Sequence, residues 1–187
     1  MSSRYSVGID LGTTNSVVAS VDLQSDADAP AVQLLTIPQL TQPGVVESRS
    51  QLPSFLYLPH ESEVAPQELV LPWDNSPTAL AGAIARQLGG KTPLRLVASA
   101  KSWLCHGGVD RHSALLPLNA PEEVAKVSPV QASVAYLAHV KAAWDHQHPE
   151  SPLEQQEVTL TVPASFDPAA RDLTVEAARA IGLQNLI

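Results

Sequence analysis

Near the N-terminus, Val7-Gly-Ile-Asp-Leu-Gly-Thr-Thr-Asn-Ser-Val-Val-Ala19 sets one carboxylate, two glycines and three hydroxyl side chains inside an otherwise apolar run. Apolar positions alternate on both sides of Gly12–Asn15, with Val7, Ile9 and Leu11 before it and Val17, Ala19 and Val21 after it. Period-two alternation about a short polar turn predicts a hairpin of two antiparallel strands over residues 5–22. An ionised carboxylate among Val7, Ile9 and Leu11 is costly unless it is paired or faces a cation, so Asp10 asks for a chemical reason. Gly12-Thr13-Thr14-Asn15 supplies one, a turn rich in backbone N–H and hydroxyl donors that can surround an anion while Asp10 approaches its metal ion. From spacing alone an ordinary polar hairpin turn fits these residues equally well.

A chain of 187 residues with 44% hydrophobic residues can bury a real core. Eleven basic residues against nineteen acidic ones leave a net charge of −8, with no Lys/Arg-rich stretch. That balance disfavours nucleic acid and anionic membrane as partners, so any phosphate site must work locally. Cys105 stands alone, which excludes an internal disulfide and fits a reducing compartment. The start Met-Ser-Ser-Arg lacks the apolar core of a signal peptide, and no apolar run approaches a membrane span. The expectation is a cytoplasmic protein.

Ala31–Leu40 reads as a third strand that completes the meander, broken at Pro43-Gly44. Between residues 42 and 127 prolines crowd and periodic pieces are short, which predicts an inserted subdomain containing a strand at Ser54–Leu58. Ser76-Pro77, Ser128-Pro129 and Asp167-Pro168 each place an N-cap oxygen before a proline suited to the first helical position. The first of these helices carries Leu80, Ile84 and Leu88 and stops at Gly89-Gly90; the second carries Val130, Val134, Leu137, Val140 and Trp144. Glu157–Val162 reads as a strand, and Asp167–Ile181 as a helix closed by Gly182. Leu183–Ile187 resembles the opening of another strand, which implies a chain that continues past Ile187.

Three separated segments resemble one family, the DnaK-like seventy-kilodalton heat-shock chaperones, whose ATPase domain belongs to the actin and sugar-kinase superfamily. Val7–Ser16 resembles its first phosphate loop, Ser99-Ala-Lys-Ser-Trp-Leu104 the short segment holding its catalytic lysine, and Thr161-Val-Pro-Ala-Ser-Phe-Asp-Pro-Ala-Ala-Arg171 the strand-to-helix signature that follows. Gln51-Leu-Pro-Ser-Phe55 also resembles an early strand of the family. Residues 59–95 and 106–127 depart from the common pattern and mark a divergent branch.

The resemblance implies ATP or ADP with Mg²⁺ as the ligand, Asp10 facing the hydrated metal, and Gly12, Thr13, Thr14 and Asn15 holding phosphate. It implies that Lys101 reaches the γ-phosphate and offsets charge on the transferred group. Read without it, Lys101 is a solvated charge on a short Ser-capped helix. Pro163 and Arg171, otherwise a strand-closing proline and an exposed arginine, are implied to relay nucleotide state to a peptide-binding domain. Gly89-Gly-Lys-Thr92 is not a P-loop, because the earlier glycine is replaced by Ala85 inside a helix. His146 and His148 lack a third metal ligand nearby, and Cys105 reads as structural.

The expected fold is α/β, the first lobe of an actin-like, ribonuclease H-like ATPase. Residues 1–41 and 128–187 would form the core, a mixed sheet combining the three-stranded meander with βα crossover strands, and 42–127 would be the insert. The expected activity is ATP hydrolysis coupled to binding and release of unfolded polypeptide, with a J-domain co-chaperone and a nucleotide exchange factor as further partners. This chain alone would be a poor catalyst. The rival readings are a sugar or small-molecule kinase of the same superfamily and a non-hydrolysing actin-like sensing or assembly module.

Overall fold

The structure, a computed structural model, describes residues 3–187. Strands β1 (Tyr5–Leu11) and β2 (Asn15–Asp22) pair antiparallel, with Leu11 opposite Ser16, so the predicted hairpin closes around Gly12–Asn15. Val7, Ile9, Leu11 and Val18 are buried on one face, as period two requires. The other edge of β1 takes the parallel strand β10 (Glu157–Thr161), in register from Ser6 with Glu157 to Asp10 with Thr161. That register carries the chain's late signature to the mouth of its first turn.

The meander is completed differently from the expectation. Of the predicted strand Ala31–Leu40, the part that pairs with β2 is β3 (Gln33–Leu34); beyond Leu35 the chain leaves the sheet, and β4 (Ile37–Gln42) forms a separate hairpin with β5 (Val45–Arg49). The cause is the burial of β4 on both faces. Ile37, Pro38, Gln39, Leu40 and Thr41 are all buried, and Gln39 donates from Nε2 to the Gln51 carbonyl at 2.9 Å. The vacated edge of β2 is taken by β6 (Leu52–Pro53), which pairs with Asn15 and Ser16.

A third sheet places β7 (Phe55–Tyr57) between β8 (Leu80–Ala81) and β9 (Leu96–Ala98). Here Ser76-Pro77 does not start a helix, because Leu80–Ala81 is claimed by cross-strand pairing with Tyr57 and Leu56. Helix α1 begins later, at Ala83, and runs to Lys91. Gly82 turns the chain at φ +89°, a conformation that favours glycine, and Gln39 Oε1 accepts from the Ala83 N–H at 3.0 Å in place of a local cap. The helix passes through Gly89-Gly90 instead of stopping there. Gly89 packs where a Cβ would stand 2.6 Å from the Leu96 side chain, so its smallness serves close packing.

After the short helix α2 (Ala100–Trp103), the long helix α3 (Pro129–Gln147) starts as predicted. Ser128 Oγ accepts from the Gln131 N–H, and the Gln131 side chain accepts from the Ser128 N–H, a capping box that stabilises the helix by about 1 kcal/mol. Val130, Leu137, Val140 and Trp144 are buried along one face. Helix α4 (Pro168–Ala180) is capped by Asp167 and returns the chain so that Leu186 bridges Val158 in parallel.

One apolar cluster joins the hairpin, the middle of the chain and the C-terminal helices. It contains Ile9, Leu52, Leu56, Val97, Leu137, Trp144 and Val158. A smaller one packs Leu40, Tyr57, Leu80, Ile84 and Leu88 beneath α1. The chain is therefore mixed α/β. Among the described residues no helix is long and apolar enough to cross a membrane.

Candidate functional site

At the end of β1, Asp10 is exposed, with Oδ1 accepting from Thr161 Oγ1 at 2.9 Å. The turn beyond it has a defined polarity. Its carbonyls point toward interior donors: Leu11 O accepts from Lys101 Nζ, Gly12 O from Ser54 Oγ at 2.7 Å, and Thr14 O from the Ser54 N–H at 2.8 Å. Thr13 and Thr14 are exposed, and among the described residues their N–H groups meet no intramolecular acceptor. Gly12 is compelled by space, since a Cβ there would collide with the Asn15 carbonyl. The exposed Thr13 and Thr14, with free N–H groups and with the Leu11, Gly12 and Thr14 carbonyls tied back, fit an anion.

Lys101 is not the solvated charge that its sequence context suggests. Ser99, in the left-handed region at φ +56°, bends the chain so that α2 drops Lys101 inward, where it is 5% exposed. Such a non-glycine conformation costs roughly 1–2 kcal/mol and signals that the surrounding packing dictates it. Burial pushes the ammonium pKa down, opposed by the carboxylate of Asp10 and, more weakly, by Cys105. The Nζ also lies 5.4 Å from the ring centroid of Phe166, within cation–π range.

Phe166 links this corner to the remaining predicted residues. Its N–H donates to the Pro163 carbonyl at 3.0 Å, and its carbonyl accepts from Arg171 Nε at 3.1 Å. Asp10, Gly12, Thr13, Thr14, Asn15 and Lys101 thus meet at one end of the sheet, with Pro163 and Arg171 arranged behind Phe166. Cys105 is exposed, not a packed structural group, and burial of its thiol is partial enough only to push its pKa up. Sequence reasoning missed Ser54 and Thr161 as contacts of the turn. For Thr161 the usable signal was its place at the end of a strand alternating in step with β1; for Ser54 it was a polar residue set between Leu52 and Leu56.

Sequence similarity, rather than this geometry by itself, relates the chain to the DnaK-like seventy-kilodalton heat-shock chaperones. The comparisons with known proteins make the relationship explicit. The chain is 33% identical over 196 residues to a chaperone protein HscA homolog of Cupriavidus necator, covering 98% of this chain and 26% of that protein. An HscA homolog of Shewanella frigidimarina is 30% identical over 197 residues, and one of Haemophilus influenzae 32% over 184, each with the same coverage. The chain spans about a quarter of the length of these curated relatives. No family model matches it.

Proposed function

We propose that this chain is the first lobe of an actin-like nucleotide-binding domain in a DnaK-like molecular chaperone. The observation that supports it best is convergence. Three segments that resemble the family separately, around residues 10, 101 and 161, meet through the Lys101–Leu11 and Thr161–Asp10 hydrogen bonds.

The ligand would be MgATP or MgADP, which supplies a phosphoanhydride bond and a divalent cation. Gly12, Thr13, Thr14 and Asn15 would hold phosphate through backbone N–H and hydroxyl donors, and Asp10, oriented by Thr161, would face the metal through water. Lys101 stabilises negative charge on the transferred phosphoryl group, a role suited to a cation already drawn out of bulk water. Pro163 and Arg171 couple the site to a peptide-binding domain through Phe166. Residues 1–41 and 128–187 form the core of the lobe, and 42–127 an inserted subdomain whose smaller apolar cluster also takes in Leu40. Unfolded polypeptide, a J-domain co-chaperone and a nucleotide exchange factor complete the cycle in the cytoplasm.

Titration calorimetry and steady-state hydrolysis of the full-length protein with MgATP test this reading. Binding with slow turnover that rises on adding unfolded polypeptide is the expected result. Phosphate transfer to a sugar, or nucleotide-driven filaments, would replace it.

A further inference from the structure

The polarity of the Gly12–Asn15 turn has an identifiable source outside the turn. Ser54 is 3% exposed and sits between β6 and β7, 42 residues along the chain from Gly12. Its hydroxyl donates to Gly12 O and its N–H to Thr14 O. Because that hydroxyl proton is committed to Gly12, Ser16 must be the donor in the 3.4 Å contact between the two serine oxygens. Behind Ser54, its own carbonyl accepts from the Tyr136 hydroxyl at 3.2 Å, which ties it to α3.

A trans peptide is planar, with its C=O and N–H pointing to opposite sides. Pinning the Gly12 carbonyl inward therefore aims the Thr13 N–H outward, toward solvent. Resting on the phosphate reading of this turn, we propose that Ser54, backed by the Tyr136 hydroxyl, is a positioning residue that holds the Thr13 N–H toward the nucleotide phosphates. Without it the Gly12–Thr13 peptide is free to rotate, presenting a carbonyl oxygen where an anion must sit.

The test uses the full-length protein with calorimetry for MgATP and hydrogen exchange over 12–16 and 52–56. Loss of one hydrogen bond to a buried carbonyl predicts that Ser54→Ala weakens MgATP binding about tenfold and speeds exchange in both segments. Tyr136→Phe weakens binding about threefold, and the double variant is less than additive because both act through one peptide. Ser54→Thr, which keeps the hydroxyl, restores affinity. Leu88→Ala, in the smaller cluster, lowers the melting temperature without moving affinity, which separates positioning from general loss of stability.

Wild-type affinity and exchange in Ser54→Ala would overturn the proposal. If the wild-type protein binds no MgATP, the nucleotide reading fails, and exchange alone decides whether Ser54 braces the turn: faster exchange in Ser54→Ala upholds that, and unchanged exchange ends it.

Discussion

At Gly12 a single methyl group decides whether the turn can exist as built. A Cβ would occupy the space of the Asn15 carbonyl, so Gly12→Ala must open the turn that Thr13 and Thr14 share. The expected outcome is loss of MgATP binding by more than about 30-fold in the full-length protein, equivalent to about 2 kcal/mol, read by calorimetry. Lys101 acts differently. Lys101→Ala removes the charge from the transferred group, so hydrolysis should fall on the order of 10²–10³-fold while MgATP affinity changes little. Unchanged turnover in single-turnover assays would remove Lys101 from the chemistry. Its lowered pKa adds a second signature, since the cation is lost below the ordinary lysine value of 10.5. The alkaline limb of the kcat/KM profile, which reports the nucleotide-free protein, should accordingly begin below that pH, and Lys101→Arg should move it upward.

Among the elements, β4 and α3 are joined by a buried histidine that makes stability depend on pH. His139 Nε2 lies 2.9 Å from the Pro38 carbonyl, and an acceptor with no proton fixes Nε2–H as the donor. Burial lowers the His139 pKa below its ordinary 6.5, more than that hydrogen bond raises it. With the folded-state value depressed, the unfolded chain binds the extra proton first as pH falls, so stability is full above about pH 6.5 and declines below it. Chemical unfolding at pH 7.5 and pH 5 should show that decline, and His139→Gln should flatten it. An unaltered slope in the variant would assign the effect elsewhere. The same interaction explains what the sequence concealed. The hairpin, the Ser128 and Asp167 caps and the β10–α4 unit were legible because their determinants lie within a few residues of each other. The departure of β4 from the meander was not, because it depends on His139 and Gln51, and Ser76-Pro77 misled because Leu80–Ala81 pairs with Leu56–Tyr57. At the site, Asp10 and the Gly12–Asn15 turn were visible in local pattern, whereas the burial of Lys101 and the Ser54 contacts arise only when distant segments meet.

For the molecule as a whole, the distribution of the main core bears on cooperativity. Leu52, Leu56, Val97 and Leu116 from the middle of the chain lie in the same cluster as Ile9 and Val18 from the hairpin and Leu137, Trp144 and Val158 from the C-terminal part. An insert that shares its core with the surrounding sheet loses its packing when the sheet does, so the site and the insert should stand or fall together. Leu137 is fully buried in α3 amid that cluster, and truncating it leaves a cavity whose walls come from several segments. Leu137→Ala should cost about 2–5 kcal/mol. In urea, circular dichroism and tryptophan fluorescence, which reads Trp73 and Trp103 within residues 42–127 together with Trp144 in α3, should shift to the same lower midpoint in that variant, because both report one transition. Separate midpoints would show that residues 42–127 unfold independently of the sheet that carries Asp10, and the turn would then have to keep its polarity without the strand that supplies Ser54.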